Sequence, residues 1–339
     1  MGHIKITSWN IEKIDGLLTS SSNPTTQRHK ESRLAAIREQ IHAMSPDILC
    51  MIEGPTDARI DQFTHDVLQD SYFAVKAPDN EYDTRGIQWI WFLVKPELAP
   101  NCQLQRTNVW DSFTQKTWEV HYWGKHETSI HDHYRHPQVL VLDWHGQRVE
   151  FIGLHLKSKI VSRVQEQMWE SGGDEREEFI EEAVKARIKL ATEAANVRDY
   201  IDVKFKQVAN PAIFVMGDLN DGPGKEYFEK NYLFFDLVSN IQGDVFFARK
   251  FLNHALFDYD ESLRWTVEFD DFIDPNRKPE ILLDHILFTQ GLVDGSLNLQ
   301  VEAKAGFVEH EITELINSQN YKYAHTSDHR PISLVVTTE

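Results

Sequence analysis

The first residues alternate. Ile4, Ile6 and Ser8 fall on one side of an extended chain, and Lys5, Thr7 and Trp9 on the other, so a strand is predicted at 4–9. Ser20 to Thr26 is rich in Ser, Thr, Asn and Pro and reads as a loop. From 28 to 44 the apolar residues Leu34, Ile37, Ile41 and Met44 recur at helical spacing, and Pro46-Asp47 closes that helix. Residues 48–52 are continuously apolar, the pattern of a strand covered on both faces. A second helix is predicted at about 57–68 and a strand at 87–94. Segments 139–142 and 149–154 read as paired strands joined by a turn at 144–147. A long helix is expected at about 175–205. It opens on Asp174-Glu175-Arg176-Glu177-Glu178, and acids suit the positive end of a helix dipole. Further strands are predicted at 212–216, 286–289 and 332–336.

Strands alternate with helices, and runs of consecutive strands lie between them. That order fits a four-layer α/β sandwich of two packed mixed β-sheets flanked by helices. No repeat, heptad array or Gly/Ser/Pro-rich linker divides the chain. Residues 1–339 are therefore expected to form a single domain, with a helical insertion around 160–207.

Composition changes this picture little; charge changes it more. The 339 residues are 41% hydrophobic and 26% charged, as in ordinary folded proteins. Two cysteines, Cys50 and Cys102, argue against a disulfide framework or a cysteine-rich zinc site, and Cys50 in its apolar run is expected as a buried thiol. Neither a signal peptide nor a membrane span is expected, and a soluble cytoplasmic protein with no inferred protein partner is the default. The net charge of -18 disfavours tight, non-specific binding to long duplexes, which depends on neutralising phosphates with cations.

Short polar motifs sit where the predicted strands end, the places where a rigid scaffold presents reactive groups. In Gly217-Asp218-Leu219-Asn220 a buried run delivers an acid and an amide two residues apart. Such an acid can orient water or bind metal, and such an amide can hold a phosphate oxygen. An Asx turn leaving a strand would look the same. Ser327-Asp328-His329 precedes the last strand, and an imidazole there suits proton transfer near neutral pH. Asp284, before another strand, can fix the tautomer of His329. Glu53 ends a buried strand and needs a partner, for which Mg²⁺, with its preference for carboxylates and retained waters, is suited. His155 and Lys157 share a face and could stabilise an anionic transition state. The imidazoles at His121, His126, His131, His133 and His136 show no spacing typical of zinc.

The joint order of these motifs resembles the endonuclease/exonuclease/phosphatase (DNase I-like) superfamily. The matching elements are Trp9-Asn10, Glu53, Arg85-Gly86-Ile87, His155-Leu156-Lys157, Gly217-Asp218-Leu219-Asn220, Asp284 and Ser327-Asp328-His329-Arg330-Pro331, spanning 8 to 332. Gln88 departs from the pattern, standing where an acid often follows Arg-Gly-Ile. The resemblance implies the sandwich fold and divalent-metal-dependent phosphoester hydrolysis. It implies Glu53 as principal ligand of Mg²⁺ or Mn²⁺, with Asn10, Asp328 and Glu12 contributing. It further implies Asp218 orienting water, Asn220 holding the scissile phosphate, and His329, oriented by Asp284, as general base or phosphate donor. His155, Asn10, Lys157 and Arg85 would contact phosphate.

Three readings follow. A nuclease or phosphodiesterase acting on a phosphodiester, nucleic acid included, comes first. A phosphatase or phosphodiesterase acting on a small or lipid-linked phosphate suits the acidity better. A non-catalytic binding module is opposed by the intact acids and histidines.

Overall fold

The computed structural model describes residues 2–85, 88–114, 117–122, 125–130, 132–161, 164–233, 236, 238–319 and 325–338, with the backbone alone for 117–122, 125–127 and 129. Six strands position the site: β1 (Gly2–Asn10), β2 (Ile48–Ile52), β3 (Gln147–His155), β4 (Ala212–Asp218), β5 (Asp284–Thr289) and β6 (Ile332–Thr338). The first sheet runs Leu299–Gln300, β6, β1, β2, Trp91–Val94, Phe73–Ala74, with Gly306–Val308 also on β6. The second runs Leu252–His254, β5, β4, β3, Gln138–Trp144, Cys102–Leu104. Both are mixed: β1 is parallel to β2 and antiparallel to β6, and β4 is parallel to β3 and antiparallel to β5.

Alternation assigns each strand two faces. Ile4 and Ile6 of β1, Ile48, Cys50 and Ile52 of β2, Phe151 of β3, Phe214 and Met216 of β4, and Ile286 and Phe288 of β5 meet in one core between the sheets. Gly153 of β3 faces the same way, and a Cβ there would stand 3.0 Å from Cys50 Sγ, so a larger residue would force the layers apart. Trp9, Leu49 and Met51 point outward, under helix α1 (Pro24–Met44), whose Ile37, Ile41 and Met44 face them. Ile152, Leu154, Ile213, Val215 and Leu287 face outward on the other side, under Leu190, Ala194, Val197 and Ile201 of helix α2 (Gly173–Gln207). Helix, sheet, sheet and helix are the four layers expected. Among the described residues no helix is long and apolar enough to cross a membrane.

The differences from expectation are local. Helix α1 starts at Pro24, inside the expected loop, because Asn23 Oδ1 accepts from the backbone N–H of Thr25 and Thr26 and Pro24 suits the first helical position. The strand expected at 87–94 is ordered as a strand only over Trp91–Val94: Gln88 has φ of 53°, and Ile87 lies outside the described residues. The stretch expected as a helical insertion divides in two. Leu190 to Ile201 forms the outer layer of the second sheet, whereas Phe179, Ala183 and Val184 join a separate cluster with Phe228 beside the sandwich.

Candidate active site

Register builds the site. Asp218, the last residue of β4, pairs with His155 of β3 on one side and Asp284 of β5 on the other. All three follow inward-facing core residues at even spacing, so all three side chains project into the gap between the sheets. Asn10 ends β1 in the same phase and pairs with Ile52, whose chain neighbour is Glu53. The sheets therefore present an amide and a carboxylate from one layer to an imidazole and two carboxylates from the other. Asn10 Nδ2 closes the gap, donating to Asp218 Oδ2 at 3.0 Å. Asn10, His155, Asp218 and Asp284 are each no more than 3% exposed.

Gly217 lets the row form. Its φ is +143°, and a Cβ there would lie 1.9 Å from the Leu154 carbonyl oxygen. Beyond β4 the chain turns through Asn220 at φ 53°, where Asn220 N donates to Asp218 Oδ1 at 2.8 Å. Glu12 and Glu53, at the ends of β1 and β2, are also left-handed, with φ of 56° and 57°. Non-glycine residues rarely adopt this conformation, and surrounding structure must hold them there.

The loop before β6 brings in His329. Ser327 Oγ donates to the Asn10 carbonyl at 2.6 Å and accepts from His329 N at 3.0 Å, while Trp9 Nε1 donates to the His329 carbonyl at 3.0 Å. His329 Nδ1 lies 2.7 Å from Asp284 Oδ2, and its Nε2 faces Asp218 Oδ2 at 4.0 Å. Burial alone would lower the basicity of this ring, but Asp284, then Asp218 and Asp328, raise its pKa to about 10. Nδ1–H therefore donates to Asp284, and the ring is an imidazolium at neutral pH. Burial raises the Asp218 carboxyl above its ordinary value, against the pull of His329. His155 Nε2 stands 3.6 Å from Asp218 and 3.9 Å from Glu53, and burial with the nearby cations Arg135 and His329 holds it well below 6.5 and neutral.

Glu53, Asn10 and Asp328 offer hard oxygen donors. Glu53 Oε2 accepts from Lys13 N at 3.1 Å and Asn10 Oδ1 from Glu12 N at 3.1 Å. Glu12 pairs with Arg33 at 2.9 Å, and its carboxyl is raised, first by burial and also by the like charges of Asp328 and Glu53. Among the described residues no three His, Cys, Asp or Glu side chains stand as a ready-made metal cage. Crowded carboxylates with an amide oxygen suit a cation that keeps much of its water, as Mg²⁺ does.

Of the other expected residues, Asn220 lines the same space as Asp328 and His329. Asn220 Nδ2 donates to the Leu156 carbonyl at 3.0 Å, leaving its second hydrogen for a ligand. Lys157 Nζ donates to the carbonyl of Ser158 at 2.7 Å. Arg85 pairs with Asp111 at 2.7 Å and lines the same crevice as Gln88 and Arg135. Gly86 and His131 lie outside the described residues, as do the side chains of His121 and His126. His133 is buried against Trp110, ring centres 6.2 Å apart, and burial holds it neutral.

Arg135 escaped the sequence reading. Its Nη1 donates to the Leu156 carbonyl at 2.9 Å, beside the bond from Asn220, and its Nε to Gln88 Oε1 at 2.6 Å. It sits near enough to Asp218 and Glu53 to feel both charges. Gln88, the departure from the family pattern, is thus the partner of this cation. A lone Arg in a His-rich loop carries no motif that could have flagged it.

No family model and no curated protein matches the sequence. Solved structures do. A truncated TDP2 from Caenorhabditis elegans aligns with 99% of this chain and 98% of its own at a TM-score of 0.52 and 16% identity. TDP2 from D. rerio complexed with single strand DNA product aligns over 100% of both chains at 0.52 and 13%. A mannosyl-6-phosphatase from Bacteroides thetaiotaomicron aligns with 98% of this chain and 99% of its own at 0.50 and 12%.

Proposed function

From a chain with the endonuclease/exonuclease/phosphatase (DNase I-like) fold, we propose a divalent-metal-dependent phosphoesterase that hydrolyses phosphodiester bonds at the cluster around Asp218. The observation that carries this reading is the convergence, from both sheets, of Asn10, Glu53, His155, Asp218, Asp284 and His329 at one end of the sandwich.

Asp218 faces the imidazolium of His329 across 4.0 Å, so both can contact one reacting group set to the side of the line that joins them. A carboxylate whose affinity for protons is raised by burial is a competent acceptor of the proton from attacking water. His329 enters charged, so it serves as donor to a phosphate oxygen and not as the initial base. Asp284 keeps Nδ1 protonated and Nε2 aimed at the reaction. Asn220, with its remaining N–H, and neutral His155 hold the phosphate, and Arg135 adds positive charge behind them. Mg²⁺ or Mn²⁺, held by Glu53 with Asn10 and Asp328, would supply Lewis acidity and neutralise phosphate charge.

The test is hydrolysis of bis(p-nitrophenyl) phosphate, single-stranded DNA, RNA and plasmid with Mg²⁺, Mn²⁺ or EDTA. Turnover that EDTA abolishes, and that falls at least 10²-fold in Asp218→Asn and His329→Gln, is expected. Full turnover in either variant overturns the assignment. The net charge of -18 favours a second reading, a smaller phosphate ester as substrate.

A further inference from the structure

Beside the cluster lies a cavity of about 260 Å³ whose lining includes Asn220, Asp328 and His329. Much of its wall comes from α2, the segment around Phe228, the residues 158–160 that follow β3, and the short pair Val267–Glu268 and Glu280–Ile281 with the loop between them. Phe179 and Phe228 meet edge to face with ring centres 5.9 Å apart, and Phe272 lies 6.2 Å from Phe179. Val267, Ile281 and Leu283 add aliphatic surface. This is an aromatic-walled space opening onto the reacting groups.

Its lysine and arginine charges are already matched. Among the described residues three Lys or Arg side chains line it, and each is committed to a carboxylate. Arg187 donates to Glu226 at 2.7 Å, with its guanidinium 4.4 Å over the Phe228 ring. Lys159 binds Asp221 and, at 2.7 Å, Glu229. Arg277 pairs with Asp271 at 3.4 Å. Glu268 and Asp328 also line the space and bring further negative charge. A second phosphate entering here would meet carboxylates and no uncommitted cation, and drawing Arg187 or Lys159 from its buried partner would strand a charge. An uncharged ring would meet aromatic edges and give up only its own hydration.

We propose that this cavity is the substrate's ester-group subsite and takes an uncharged, ring-sized, aromatic or compact apolar group borne on the phosphate. At about 260 Å³ the space is of a size for one ring system. The inference rests on the Asp218 cluster being the phosphate site. It makes the cavity a selector against substrates with charge on neighbouring groups, nucleic-acid backbones among them.

Calorimetry with Mg²⁺ present tests it independently of turnover, using phenylphosphonate, methylphosphonate and 4-sulfophenylphosphonate. Wild-type protein should bind the phenyl ligand at least tenfold more tightly than the other two. Ile281→Trp, which fills the cavity from its half-buried edge, should reduce that preference to within twofold while leaving methylphosphonate affinity unchanged. Phe272→Ala, which removes one wall, should weaken phenylphosphonate binding alone. Equal affinity for phenyl and methyl ligands, tight binding of the sulfonated one, or an undiminished preference in a folded Ile281→Trp protein overturns the proposal. If bis(p-nitrophenyl) phosphate is not hydrolysed while the phenyl preference stands, the catalytic reading fails and the cavity's selectivity survives. If hydrolysis proceeds without any preference, the cavity proposal fails alone.

Discussion

Replacing Asp284 by Asn isolates the charge that makes His329 an acid. The amide oxygen can still accept from Nδ1 at about the observed 2.7 Å, so geometry is kept and one negative charge is removed. In the wild-type fold the ring titrates near 10, against about 6.5 in the unfolded chain. A histidine raised in this way stabilises the fold fully below about pH 6.5 and loses that contribution as pH rises through 10. At pH 7 the difference is about three decades of proton affinity, or about 4 kcal/mol at ~1.36 kcal/mol per decade. That value is a ceiling, since the variant also relieves the repulsion that Asp284 exerts on Asp218. With the carboxylate gone, only Asp218 and Asp328 oppose burial, and the ring should titrate well below 10. NMR of the His329 Cε1–H resonance in metal-free protein, assigned by its loss in His329→Gln, reads this directly. Urea unfolding at pH 7 and pH 10.5 should show a destabilisation that shrinks at the higher pH. The kcat/KM for a phosphodiester should fall by about 10²–10⁴. A ring still titrating near 10 in Asp284→Asn would refute the account of the site's electrostatics.

Three further outcomes follow from the same geometry. Glu193 of α2 is 1% exposed, with its carboxyl raised to about 7 by burial, so its ionisation weakens the fold as pH rises from about 4.5 through 7; Glu193→Gln should be more stable by about 3 kcal/mol at pH 8 and little changed at pH 4.5, measured by urea unfolding. Gly217→Ala sets a Cβ against the Leu154 carbonyl at a φ of +143°, and should cost more than about 3 kcal/mol in the same assay while displacing Asp218 and abolishing turnover. Arg135→Met removes the cation behind the cluster and should lower kcat/KM about 10²-fold; activity within twofold of wild type would exclude Arg135 from phosphate stabilisation.

Local pattern alone determined most of the long elements. The continuously apolar runs 48–52 and 212–216 marked strands covered on both faces, but only the packed structure separated the faces and put Asn10, His155 and Asp218 between the sheets. The order of short polar motifs disclosed most of the cluster, because strand ends are local features and their residue types are visible one at a time. Tertiary structure alone decided what meets what. Parallel pairing of β3 with β4 and antiparallel pairing of β5 with β4 set His155 and Asp284 on either side of Asp218, and sheet packing carried Asn10 across to it. Arg135, the pairing of Arg85 with Asp111, and the cavity built from α2, Phe228 and the 267–281 hairpin all depend on contacts between segments distant in the chain. Such contacts leave no periodicity in either partner. Their energy belongs to the pair, and a single sequence displays only the members.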